Sequence, residues 1–364
     1  MQEAGGHDHH WWTVAAPLAA AVLVGAELVH LADPRSTLFL VLAALLLGTA
    51  VFSAVHHAEV IAARIGEPVG SIVLALAVTV IEVALIVSIM LSGPEVGAET
   101  ARDTVFAAVM IVLNGIVGLC LLVGGLRHRE QGFQLQGTGS ALSVIGVLAT
   151  LTMILPNFTL AVPGPVYAAP QLVFVAIAAL ALYGLFLFTQ TVRHRAYFLD
   201  RDQPEAEHQP VPTGRQALAS AALLLLALVS VVLLAEALSP PVEAGVADAG
   251  LPPAFVGVVI ASVVLLPEGL SAFRAARANR LQTSLNLALG SAMASIGLTI
   301  PAVAIVSLVL GTPLALGLEP EHMTLLVLSL FIATLSLATG RTTILQGAVH
   351  LVIFGAFLTI AGVP

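Results

Sequence analysis

The sequence predicts an all-α, polytopic membrane protein of about 11 transmembrane helices, arranged as one extra helix plus two inverted five-helix repeats. Three observations carry this reading. Of 364 residues, 59% are hydrophobic and only 9% charged, more apolar surface than a water-soluble core can hide. The apolar runs are continuous and about 20 residues long, enough to cross a bilayer as a helix, and lack the alternation of a membrane β-barrel. Finally, all 13 basic residues are Arg, and they segregate to one side once alternate loops are assigned.

The spans read as 12–31, 36–56, 70–92, 103–126, 139–156, 170–191, 215–238, 253–273, 283–311, 322–340 and 343–362. Residues 1–35 hold a polar tail and the extra helix, where Trp11 and Trp12 mark the interface and Glu27 and His30 form an interfacial pair. The tail has no basic n-region, so it reads as a retained cytoplasmic segment. Its His7, Asp8, His9 and His10 are a disordered polar stretch or a loose metal binder. Residues 36–192 form the first repeat and 215–364 the second. Between them, 193–214 is a polar, Pro-containing cytoplasmic linker whose Asp200, Asp202, Glu205, Glu207 and His208 read as solvated, over a sensor of cytosolic calcium or pH.

With the N-terminus in the cytoplasm, all the arginines except Arg35 and Arg102 fall inside, as the positive-inside rule demands. The opposite loops carry acids: Glu95, Glu99, Glu243, Asp248, Glu319 and Glu321. The C-terminus is then outside, and the expected location is a bacterial cytoplasmic (inner) membrane. A five-span unit is odd, so its second copy enters from the other side, the inverted-repeat plan of many secondary transporters.

Two spans each carry one isolated carboxylate. Glu82 lies within Val69–Leu91 and Glu268 within Phe255–Phe273. A charged group at mid-helix costs about 2.5–3.5 kcal/mol or more, so each needs a partner inside the protein. Glu82 is about 18 Å along its helix from Gly70 at ~1.5 Å per residue, and Glu268 is similarly deep from the other side. Two carboxylates in low dielectric cannot comfortably both be ionised, so protons or a cation must neutralise them. Their charge matches one divalent ion, and hard oxygen ligands suit Ca²⁺. Thr79 and Ser262 lie near them in sequence, and Pro267 removes a backbone donor just before Glu268. The following spans offer Asn114 and, in span nine, Asn286, Ser291 and Ser295, in a cluster that runs on to Thr299 among small residues that also permit close packing. A site that binds either cation or protons exchanges one for the other through a conformational cycle. There is no GxxxxGK[ST] phosphate loop.

Other polar groups have two readings each. His56, His57 and Glu59 are a proton relay or an interfacial cap, since His titrates near neutral pH. His350, deep in span eleven, is a proton-coupling candidate or a core histidine. Arg274, Arg277 and Arg280 form a stripe that reads as anchoring, over regulation. Cys120 alone can make neither a disulfide nor a Cys-based metal site. A cation channel would need a continuous polar pore, and an intramembrane metalloprotease an HExxH helix, which His56-His57-Ala58-Glu59 is not.

The stretches GEPVGSIVLALAVTVIEVALIVS (66–88), LNGIVGLCLLVGGLRHREQGFQ (113–134) and VVLLPEGLSAFRAARANRLQTSLNLALGSAMASIGLTIPAVA (263–304) resemble bacterial calcium/proton antiporters of the cation/calcium exchanger superfamily. The similarity covers nearly the whole chain. It implies cation binding by Glu82 and Glu268 and exchange against protons, with no cofactor beyond the transported ions and no nucleic-acid partner; the partners are cations, protons and lipid. The resemblance, more than spacing, is what names calcium, and a monovalent Na⁺ or K⁺/H⁺ antiporter is the alternative. The GNxxE setting of many eukaryotic members is replaced here by TVIE and LLPE.

Overall fold

The computed structural model describes residues 11–31, 33, 34, 36–66, 69–92, 94–200 and 211–363. The histidine-rich tail, Arg35, Glu67 and the linker acids Asp202, Glu205, Glu207 and His208 lie outside these. Among the described residues there are thirteen α-helices: α1 (Trp11–Leu28), α2 (Thr37–Ile65), α3 (Val69–Ser92), α4 (Pro94–Met110), α5 (Val117–His128), α6 (Leu135–Ala149), α7 (Ala169–Phe188), α8 (Gly214–Asp248), α9 (Phe255–Arg277), α10 (Leu281–Ala294), α11 (Ile300–Leu310), α12 (Pro320–Leu337) and α13 (Ile344–Gly362).

Several of these join end to end. A π turn at Ile111–Ile116 links α4 to α5, and another at Ser295–Thr299 links α10 to α11. Each pair is thus one span with a mid-helix bulge. Further π turns at Thr150–Ile154 and Thr189–Arg193 extend α6 and α7. Among the described residues, ten helical stretches are long and apolar enough to cross a membrane, and α3 adds a shorter apolar one, Ile72–Val87. α8 runs through Pro240 and Pro241 to Asp248, ten residues past the expected end of its span.

Two features depart from the all-helix expectation. Gln131–Gly132 (β1) pairs antiparallel with Arg341–Thr342 (β2), tying the loop after α5 to the loop before α13. Val166 and Ala315 form an isolated bridge. These pairs satisfy backbone groups in short loops at the span ends.

Packing divides the chain into two compact units. One comprises residues up to Ile81 together with Gln203–Val242; the other comprises Glu82–Asp202 and Glu243–Pro364. In the first, α1 packs on α2 through small side chains, with Ala20, Ala43, Ala50, Ala54 and Ala58 fully buried. The turn from α2 into α3 brings Gly70 so near Ala62 that a Cβ there would sit 2.6 Å from its carbonyl oxygen. In the second unit α5 packs along α13, α9 along α4 and α10, α10 along α6, and α11 along α7. Gly347 lies against the Leu122 backbone, where any side chain would overlap it. Small residues set these approaches, as is usual where lipid supplies no hydrophobic drive between helices.

Candidate functional site

Glu82 projects from α3 with 4% exposure. Its Oε2 accepts hydrogen bonds from Ser295 Oγ (3.1 Å) and Thr299 Oγ1 (3.0 Å). Both donors belong to the π turn of span nine, so the bulge turns two hydroxyls onto one carboxylate oxygen. Oε1 is buried and has no hydrogen-bond partner among the described residues, and the same holds for the hydroxyl of Thr79, one turn earlier on α3. A carboxylate half-satisfied by neutral hydroxyls offers its other oxygen to a proton or a hard cation. No cluster of three or more His, Cys, Asp or Glu suited to a metal occurs among the described residues. The oxygens gathered here are instead one carboxylate and neutral hydroxyls.

Glu268 is partly buried on α9, directly after the buried Pro267. The proline has no N–H to return to Val263, which leaves that carbonyl without its helical donor. Where α3 places Thr79 three residues before its glutamate, α9 places the buried Leu265. α9 packs on the π turn Ile111–Ile116, α10 packs on that same turn, and α4 packs on the π turn Ser295–Thr299. Each bulged span therefore packs its irregular turn against the regular helix of the other.

The first π turn carries Asn114, which is fully buried. Ser329 donates its hydroxyl proton to the Leu325 carbonyl (2.7 Å), so its oxygen is left to accept from Asn114 Nδ2 (2.8 Å). That fixes the amide: Asn114 Oδ1 faces His350 Nδ1 at 3.2 Å and accepts from it. In the neutral ring the proton is then on Nδ1. His350 Nε2 is buried without a partner among the described residues. The expected proton carrier thus stands behind Asn114 and orients it.

Other expected site residues are placed elsewhere. Asn286 lies nine residues before Ser295, about 13 Å along the helix, and its amide bonds other groups. Its Nδ2 donates to the Phe198 carbonyl (2.6 Å) and its Oδ1 accepts from Gln282 (2.7 Å). Ser262 is exposed, donates to Val258 O at 2.7 Å, and lines an outward-facing apolar groove. Its six-residue offset from Glu268 puts it on a different helix face, whereas the three-residue offset of Thr79 does not. Ser291 is partly buried, one turn before Ser295.

His57 is fully buried, with Nε2 donating to Thr13 O (3.0 Å) and Nδ1 at 3.2 Å from Ser220 Oγ. Both ring nitrogens are engaged, and the residue ties α2 to α1 and α8. His56 stacks edge-on against it at 5.4 Å, and Glu59 is exposed on α2.

Sequence reasoning missed three placements. Thr299, on the same face as Ser295 at an i, i+4 spacing, shares Glu82; that spacing was the available signal. Asp200 docks onto α10, its carboxylate accepting from the Gln282 N–H (3.1 Å) and the Thr283 hydroxyl (2.6 Å). Arg102 is buried on α4, paired with Asp103 at 2.7 Å and donating to Gly317 O. At that acid-rich end, burial first and a bond to Glu321 second hold the Glu319 carboxyl above the usual carboxylate range.

Known proteins share this architecture. The sodium/calcium exchanger protein family model matches residues 35–192 and 219–363. The ionic transporter y4hA of Sinorhizobium fredii is 55% identical over 356 residues, covering 97% of this chain and 96% of its own. The sodium-potassium/proton antiporter ChaA of Escherichia coli is 34% identical over 314 residues, 85% of each chain. The crystal structure of the H⁺/Ca²⁺ exchanger CAX superposes with a TM-score of 0.69 at 18% identity, covering 96% of this chain and 89% of that one, a likeness of fold. With a buried carboxylate held at a π turn, and a family match across both halves, the chain belongs to the sodium/calcium exchanger protein family and is a secondary cation transporter rather than an enzyme.

Proposed function

We propose that the chain exchanges Ca²⁺ for H⁺ by alternating access, with Glu82 and Glu268 binding the cation and protons in turn. The observation that carries this reading is the Glu82 carboxylate, buried with one oxygen on Ser295 and Thr299 and the other without a described donor. Such a group must be neutralised before the site can be closed from water. Either a proton or a cation does so, and the two compete for the same oxygen. The five-helix repeats 36–192 and 215–364 supply one glutamate each, and their relative movement would expose the pair to alternate sides. The location that fits is a bacterial cytoplasmic membrane, N-terminus inside and C-terminus outside, from the arginine bias of the loops.

A monovalent reading, Na⁺ or K⁺ for H⁺ on the same residues, is favoured by the identity to ChaA. Proton flux in proteoliposomes driven by Ca²⁺, Na⁺ or K⁺ decides between the two. Calcium-driven flux is expected, with the half-saturating Ca²⁺ rising about tenfold per unit fall in pH for each proton displaced. Flux with Na⁺ or K⁺ alone would transfer the site to the monovalent reading. A half-saturation independent of pH would remove the competition itself.

A further inference from the structure

An outward-facing groove of about 490 Å³ runs between α5, α9 and α13, floored by the first π turn. Its lining is almost wholly apolar, and its lips, Leu119, Leu266 and Leu270, are exposed. In a membrane-spanning chain such a slot faces acyl chains. Its arginine-side end is different in kind. Phe273 closes the groove there, and the Arg277 guanidinium stands 5.7 Å from the centre of that ring. Arg274, adjacent to Phe273, is exposed, as are Arg277 and, at the end of α5, Arg127. His128 bonds the Arg277 carbonyl at 3.0 Å, so the ends of α5 and α9 lie together. None of Arg127, Arg274 and Arg277 is paired with an acid among the described ion pairs.

We propose that this groove is a binding site for an anionic phospholipid of the surrounding bilayer. One acyl chain would lie along Leu266 and Leu270, and the phosphate would rest on Arg274 and Arg277. The charge complementarity is specific: a slot that any acyl chain could fill ends in unpaired guanidinium groups, which bind phosphate in fork geometry. Basic pockets between helices on the arginine-rich side of a membrane recognise anionic head groups in this way. The groove floor, Ile111, Gly115 and Ile116, is the π turn that carries Asn114, and its other wall is the helix of Glu268. A bound lipid would therefore brace the outer side of the ion-binding spans. The inference rests on the membrane location and not on which ions are exchanged.

Native mass spectrometry of the purified full chain, ejected from nanodiscs of equal dioleoyl-phosphatidylglycerol and dioleoyl-phosphatidylcholine, provides the test. The wild type is expected to retain phosphatidylglycerol over phosphatidylcholine by about fivefold or more, the scale of one arginine near an anionic surface. The double variant Arg274→Gln, Arg277→Gln is expected to bring that ratio near one. Arg193→Gln, on the π turn that extends α7 and away from the groove lining, is expected to leave it intact. Ser262→Trp, which fills the slot, is expected to lower retention of both lipids. Equal retention by the wild type would overturn the proposal. So would a preference that survives the double arginine change, or a lipid-free dimer occupying this face. Because the readout is retained lipid and not flux, failure here leaves the exchange reading standing.

Discussion

Glu82 receives two hydroxyls from the π turn of span nine and follows Thr79 by one turn of its own helix. Glu268 follows Pro267 and has Leu265 at the place equivalent to Thr79. Its helix packs on the other π turn, where the polar residue is Asn114, held from behind by His350 and Ser329. The two halves thus repeat a plan: a carboxylate on one span, a bulged span beside it. What they do not repeat is the neutral oxygen chemistry around the charge. The charged element is common to both halves, while two hydroxyls bond the carboxylate of one and a proline precedes that of the other, on a helix packed against the turn of Asn114. The two carboxylates thus stand in unlike settings even though the repeat makes them formally equivalent.

The comparison can be broken outright by removing the shared element. Glu82→Gln and Glu268→Gln should each reduce ion-driven proton flux by about a hundredfold or more, since removing one partner of a buried charge set costs about 3–5 kcal/mol. If either variant keeps near-wild-type flux, the two carboxylates do not form one working pair. The next test concerns the asymmetry. Thr79→Val should weaken cation half-saturation about fivefold, in line with ~1 kcal/mol for a lost polar contact. Leu265→Val, at the equivalent place, should change it less than about twofold while lowering thermal stability by roughly 1 kcal/mol. Equal losses of affinity would mean that the two settings differ only in name.

Asn114 offers a finer cut. His350→Phe removes the Nδ1–H donor and should raise half-saturation about fivefold. His350→Gln, which keeps an N–H donor, should restore most of it, and flux titrations of both variants give the comparison. If the two behave alike, orientation of the amide is not what His350 provides. The smallest effect is expected at Asn286. Asn286→Ala should leave half-saturation within about twofold of wild type while lowering the unfolding midpoint, because its bonds to Gln282 and Phe198 tie the chain after α7 to α10 and are worth about 1 kcal/mol each.

The helical spans were legible because a continuous apolar run of membrane length has few alternatives. Glu82 and Glu268 were legible for the opposite reason, as the lone charges in such runs. Ser295 stood out within a cluster of small and polar residues, and the structure places its hydroxyl on Glu82. Thr299 was visible only as part of that cluster, since its partner is 217 residues away in sequence. The hydrogen-bond partners of Asn286 and Ser262 were not legible, because spacing along a chain does not say which face of a helix is occupied by neighbours. A loop segment, Phe198 to Asp200, had already claimed the end of α10. The β1–β2 pair is two residues per strand and leaves no alternation to read. The π turns leave no periodic signature either, because one extra residue hardly disturbs an apolar run.

That extra residue has a hereditary consequence. A π turn holds one more residue than the α turn it replaces, so the bulge at Ser295–Thr299 is a single-codon surplus maintained inside an otherwise regular span. Losing that codon would turn α11 by about 100° relative to α10. The helix could then keep its seat on α6 through α10, or its seat on α7 through α11, but not both. A lineage could exchange almost any apolar side chain in this span for another of similar size, yet could not shorten the span by one.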